Sequence, residues 1–66
     1  MNYTIMHEYL LSVQHFFLGE YRFQVVAENK VDAIIKGTEY VNRVLGKDNC
    51  FPDTVKVIKK LKPSFG

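Results

Sequence analysis

Residues 21–46 read YRFQVVAENKVDAIIKGTEYVNRVLG, and a change of period inside this stretch decides the fold. Tyr21, Phe23, Val25 and Ala27 alternate with their neighbours at the period of two of a half-buried strand, whereas from Lys30 onward apolar residues recur every three or four positions, as on a helix. Glu28-Asn29 is the junction. Asn29 is placed to cap the helix by accepting from the free amides of its first turn, and Asp32 sits where a carboxylate favours the positive end of the helix dipole. Gly46 suits a left-handed cap at the other end, with Arg43 and Lys47 carrying the charge preferred there. The spacing predicts a helix over Lys30–Leu45 whose core stripe is Val31, Ile34, Ile35, Thr38, Val41 and Leu45. A second line, Ala33, Gly37, Tyr40 and Val44, runs beside it. Glycine within a helix costs about 1 kcal/mol relative to alanine, so Gly37 calls for a reason: a large neighbour packing on the bare backbone, or close approach of a partner helix. The second reading makes Gly37 and Tyr40 candidate partner contacts.

Before this stretch lies a strand over His7–Phe16, which residues 1–6 can extend. Its core face is His7, Tyr9, Leu11, Val13 and His15; its other face is Glu8, Leu10, Ser12, Gln14 and Phe16. Face matching selects a three-residue loop, Phe17-Leu18-Gly19, with glycine in the left-handed third position, pairing Val13 with Phe23 and Leu11 with Val25. A two-residue loop sets Val13 against Gln24 and is rejected.

After the helix, residues 46–53 read as a loop, with Phe51 tucked under the helix end and Pro52 barring further helix. A last strand follows over Thr54–Lys62, with Val55, Val57 and Leu61 inward and Lys56, Ile58, Lys60 and Lys62 outward. Lys59 breaks the alternation, which predicts a bulge or a strand end near it, and Pro63 is expected to stop the ladder. The result is an α+β fold, β-β-α-β. A right-handed crossover returns the third strand parallel to the second and beside the first, giving order 2-1-3 with the lysine-rich strand at an edge.

Sixty-six residues make one domain, which buries only about 60% of its unfolded surface. The single cysteine, Cys50, cannot close an internal bridge, so a second copy or another partner is favoured as a source of stability. With 47% hydrophobic and 24% charged residues the composition is that of a folded chain. Neither a membrane-length apolar run nor a secretion signal is read, and the expected location is cytoplasmic. The net charge of +2 is uneven: residues 1–53 hold five basic against seven acidic side chains, while residues 54–66 hold four lysines and no acid.

No catalytic or cofactor motif is read. His7 and His15, eight residues apart on one strand, stand roughly 27 Å from each other and cannot share a metal. Cys50 has no sequence neighbour to activate it, the acids form no i,i+3 or i,i+4 pair within the helix, and the glycines make no phosphate loop. The expectation is a non-enzymatic protein without cofactor or metal, acting by binding. Leu10 opposite Val26, Ile58 adjoining them and Phe16 near the hairpin tip give the uncovered sheet face an apolar centre with a polar and basic rim, suited to a protein partner or a homodimer. A competing class is nucleic-acid binding through Lys56, Lys59, Lys60 and Lys62.

The segment Tyr21-Arg-Phe-Gln-Val-Val-Ala-Glu-Asn-Lys-Val-Asp-Ala-Ile-Ile resembles the strand-to-helix passage of small phage and mobile-element proteins, in which an alternating strand ends in Ala-x-Asn. The β-β-α-β frame is similar to theirs over most of the chain. Some of them, anti-CRISPR and other host-takeover inhibitors included, cover a surface of a larger host complex. The resemblance implies an inhibitor-like binding role and carries over no functional residue.

Overall fold

The two periods of the sequence become three strands and one helix in a computed structural model that describes residues 5–64, with side chains as far as Leu61. The elements are β1 (Met6–His15), β2 (Gly19–Ala27), α1 (Lys30–Tyr40), a π-helical segment (Val41–Gly46) and β3 (Cys50–Ser64). Strand β1 is central and antiparallel to both neighbours, in the order β2-β1-β3. That is the expected α+β topology, with β3 parallel to β2. Residues 1–4, proposed above as an extension of β1, lie outside the described residues.

The hairpin keeps the expected faces in a register two residues away from the expected one. Leu11 pairs with Phe23 and Val13 with Tyr21, so the loop is Phe16-Phe17-Leu18, and Gly19, at φ 74°, opens β2 opposite His15. A shift of two leaves every side chain on its own face, so alternation cannot detect it. The loop keeps three residues, and hydrogen bonding favours the observed register: His15 Nδ1 accepts from the Phe17 and Leu18 backbone N–H groups at 3.0 and 3.2 Å, and the Phe16 N–H donates to the Asn49 carbonyl at 2.8 Å.

Asn29 caps α1 as its sequence position requires. In extended backbone geometry (φ −157°), it accepts the Asp32 N–H on Oδ1 at 2.8 Å, while Asp32 Oδ2 accepts the Glu28 N–H at 3.2 Å. Replacing Asn29 with alanine orphans the Asp32 donor, and the expected loss of about 1 kcal/mol is readable as a lower urea midpoint with unchanged slope. Regular helix ends at Tyr40, and one π-helical segment carries the chain to Gly46 at φ 90°. Asn49 closes this end, its side-chain Nδ2 donating to the Leu45 carbonyl at 3.0 Å.

The helix face is the main correction. Ala33, Gly37 and Val41 are buried against the sheet with Tyr40 and Leu45 packed beside them, so Val41 and Leu45 of the expected core stripe face inward, whereas its Val31, Ile34 and Ile35 are exposed, as is Val44 of the second line. Room decides this. Leu11, Val55 and Phe23 rise so far from the sheet that a Cβ built on Gly37 would stand 2.5, 3.2 and 3.4 Å from them. Only the line of smallest side chains lets the helix descend onto β1. Tyr40, at the rim of that contact, stacks on Phe23 at 4.8 Å between ring centroids. Gly37 and Tyr40 therefore contact the protein's own core.

Strand β3 is longer than expected, beginning at Cys50 and continuing through Pro63, which pairs with His7 instead of ending the ladder. A proline is tolerated there because β3 is an edge strand. Alternation from Cys50 points the cysteine inward and turns Phe51 outward, so Phe51 is exposed and does not tuck under the helix. The predicted bulge is present: Leu11 pairs with Val57 and Leu10 with Lys59, which leaves Ile58 as the extra residue. A wider irregularity separates the pairs Ser12 with Lys56 and Gln14 with Phe51. Thr54 bridges it, its Oγ1 accepting from the Gln14 N–H at 2.8 Å and donating to the Phe51 carbonyl at 2.6 Å.

Candidate functional site

The face of the sheet away from the helix is more polar than its sequence suggested. With the register shifted by two, Leu10 stands between Gln24 and Lys59, and Val26 is level with Glu8. Leu10 is half-buried and Val26 and Ile58 are exposed, with polar residues directly opposite Leu10 on both sides. Leu61, expected inward, lines a shallow depression of about 510 Å³ with Glu8, Gln24, Lys59 and Lys60 on that open side. Lys56, Lys59 and Lys60 are exposed along the β3 edge, as anticipated, and the Lys62 side chain lies outside the described residues.

Apolar exposure is concentrated in two other places. One is the hairpin end, where Phe16, Phe17 and Leu18 project and Phe51 meets Phe16 edge-on at 4.5 Å. Phe17 is 82% exposed, yet the backbone beneath it is fixed by the two bonds to His15 and by the Asn49 bond that ties the tip to the helix end. The other is the outward flank of α1, with Val31 69%, Ile34 40% and Ile35 53% exposed. From the sequence Phe17 and Leu18 were read only as loop residues and Phe51 as a packing residue, none of them as a binding residue. Three consecutive apolar residues filling a hairpin loop were the available signal, because such loops ordinarily hold Gly, Asn, Asp or Pro.

Folding brings Cys50 beside a histidine, since His15 is its cross-strand partner. The arrangement does not activate the thiol. His15 Nδ1 is occupied as acceptor for two backbone donors, which puts the ring proton of the neutral form on Nε2, and burial pushes the Cys50 thiol above its ordinary range. At 2% exposure Cys50 is a packing residue of the strand end. It is expected to react with an aromatic disulfide reagent at least about 100-fold more slowly than a free thiol, at the rate at which the strand end opens. A rapid stoichiometric reaction in the folded protein is the contrary result.

The Tyr40 phenol is also raised, first by hydrogen bonding to Tyr21, then by burial and by the charge of Tyr21. Both shifts have the same sign. A raised folded value stabilises the protein fully below the unfolded value, and this contribution is lost as pH rises through the folded value. Stability is thus expected to fall on the alkaline side of the ordinary thiol and phenol ranges, and a thermal melting series over alkaline pH reads it directly.

Among the described residues there is no cluster of three or more His, Cys, Asp or Glu side chains able to hold a metal ion, and no helix long and apolar enough to cross a membrane. No family model, curated protein or solved structure matches this chain. Its own geometry is therefore the basis for a functional reading.

Proposed function

We propose that the chain is a small non-catalytic protein-binding module of the inhibitor kind that its strand-to-helix passage resembles, acting by covering a surface of a larger complex. The observation that carries this reading is the hairpin end: three exposed apolar side chains, two of them aromatic, on a loop whose three successive N–H groups all have acceptors. Aromatic anchors dominate binding energy at protein interfaces, and a loop already held in one conformation loses little entropy on docking. Phe51 widens the anchor by bracing Phe16 from the neighbouring strand. The experiment is capture from lysate of the source cells with the native chain and with a Phe17→Ser/Leu18→Ser variant in parallel. A specific protein retained by the first and lost by the second is expected. Equal retention by both removes the hairpin end from the interface.

One observation favours a second reading. Phe51 pairs in register with Gln14, so the Phe16–Phe51 pair heads the same open face that carries Lys56 and Lys59. Stacking groups followed by cations suit a single-stranded nucleic acid. That reading predicts binding that weakens steeply with salt, and a slope that falls by about 1.4 when Lys56 and Lys59 are both replaced by glutamine. The absence of any mobility shift at low salt counts against it.

A further inference from the structure

We infer that two copies of this chain pair through the outer edge of β2, strand against strand, with Glu20 of each opposite Arg22 of the other. The first ground is the direction of the backbone groups. In β1 the Gln14 N–H donates to Thr54 Oγ1 and the Phe16 N–H to the Asn49 carbonyl, so even-numbered residues there point toward β3 and odd-numbered ones toward β2. Odd-numbered residues of β2 are opposite odd-numbered residues of β1 and bond inward. Glu20, Arg22, Gln24 and Val26 therefore turn their N–H and C=O groups out of the sheet. The Val26 carbonyl bears this out by accepting from Lys36 Nζ at 2.9 Å. Among the described residues the groups of Glu20, Arg22 and Gln24 have no partner on this side. What completes such a row is an extended chain.

Charge decides which chain. Antiparallel strands related by a two-fold axis pair residue i with j and j with i. With the axis at Tyr21, Glu20 faces Arg22 of the second copy and Arg22 faces its Glu20, so the ion pair that each chain makes at 3.2 Å joins its image in a square of four charges alternating in sign. The two neighbouring registers lack this match. One sets Glu20 on Glu20 and the other Arg22 on Arg22, and like charges directly opposite are destabilising. A further shift toward the end of β2 meets the Val26 carbonyl, which Lys36 occupies. In the matched register Glu20 and Arg22 exchange about four backbone bonds between the copies, and the half-buried Tyr21 rings meet at the axis as a cross-strand aromatic pair.

The fold leaves room for this. Helix α1 sits over β1, with Gly37 against Leu11. Joining the β2 edges sets the two β1 strands three strand spacings apart, about 14 Å, with both helices on one face. Helices of about 10–12 Å diameter clear each other there, and Tyr21 and Tyr40 lie between them. The result is a six-stranded sheet. Its outer edges are the two bulged, lysine-bearing β3 strands, so pairing stops at two copies.

Light scattering across a dilution series tests this independently of what the hairpin end binds. The native chain is expected to pass from the mass of two chains to that of one on dilution. Glu20→Arg and Arg22→Glu each bring four like charges together and should weaken self-pairing at least about 10-fold, whereas the two variants mixed in equal amounts should pair with each other as the native chain does. Both positions are exposed, and the circular dichroism of each variant should match the native spectrum. Amide exchange at Glu20 and Arg22 should slow as concentration rises. Phe51→Ser, on the opposite edge strand, should leave the mass unchanged. A native chain that stays single at about 1 millimolar overturns the inference, and so does a dimer that neither charge variant weakens or a mixture of the two that stays single.

Discussion

Replacing Gly37 with valine is expected to lower the melting temperature by roughly 15 °C or more, through a loss of about 3 kcal/mol. The stability of a chain of this length is itself only about 3–10 kcal/mol, so much of the population should be unfolded in mild denaturant. The cause is geometric. Any side chain at this position starts with a Cβ 2.5 Å from Leu11 Cδ2, 3.2 Å from Val55 Cγ1 and 3.4 Å from Phe23 Cζ, and a branched one drives further into all three. Leu11 is fully buried and has nowhere to turn, so the helix must lift off the sheet. Alanine is the sharper test because two effects oppose each other. Helix propensity favours it by about 1 kcal/mol, while the overlap costs about 1–3 kcal/mol, and the expected balance is a net loss of about 1 kcal/mol. A Gly37→Ala protein more stable than the native one would show that the helix does not sit this low.

Leu11→Ala is expected to cost about 2–5 kcal/mol. Leu11 is fully buried at the centre of the central strand, with Phe23 and Val57 as its cross-strand neighbours and Gly37 above it. Nothing nearby is free to fill the vacated volume. The same substitution removes the atom that an alanine at position 37 would strike, so the two changes should couple. The double variant is expected to be less destabilised than the sum of the two single losses by about 1 kcal/mol. Simple additivity in urea melts of the four proteins would contradict the contact.

These two residues also show where sequence reading succeeds and where it stops. Asn29, Gly46 and the change of period marked the helix within one residue of the observed ends of its α- and π-helical parts, and the crossover rule placed β3 beside β1. Each of those signals is local or topological. The helix face was not legible, because both lines of the helix are apolar and periodicity ranks them by hydrophobicity alone. The sheet selected by room, since a Cβ at Gly37 already meets Leu11, Val55 and Phe23, and the inward face that results takes Ala33 and Gly37 from one line and Val41 from the other. The hairpin register failed for a related reason: a shift of two preserves every face, and the bonds that decide it come from His15 and from Asn49, which is 33 residues from Phe16 in the sequence. Gly37 drew attention for the right property, close approach, but the approaching element is the protein's own sheet. The candidate surfaces moved accordingly, from the back of the helix and the sheet centre to the hairpin end and the β2 edge.

Lys36 gives one edge of the sheet a further property. Its Nζ donates to the Val26 carbonyl at 2.9 Å while also meeting Asp32, so the end of β2 is capped by a side chain from the helix. The opposite edge, β3, is interrupted by bulges and lined with lysines. The β3 edge therefore offers no regular row of unpaired groups to another strand, whereas along β2 only the Val26 carbonyl is covered. Strand pairing between copies is thereby confined to β2, and the molecule's outline makes this measurable. It extends 44 × 18 × 17 Å, closer to a short rod than to a sphere. Two rods joined flank to flank keep their length and gain width, so the pair is less elongated than either copy and tumbles with less excess friction. Two rods joined at their tips become a longer rod and tumble more anisotropically. Rotational diffusion, compared before and after dilution, distinguishes a pair built on the β2 edge from one built on the hairpin.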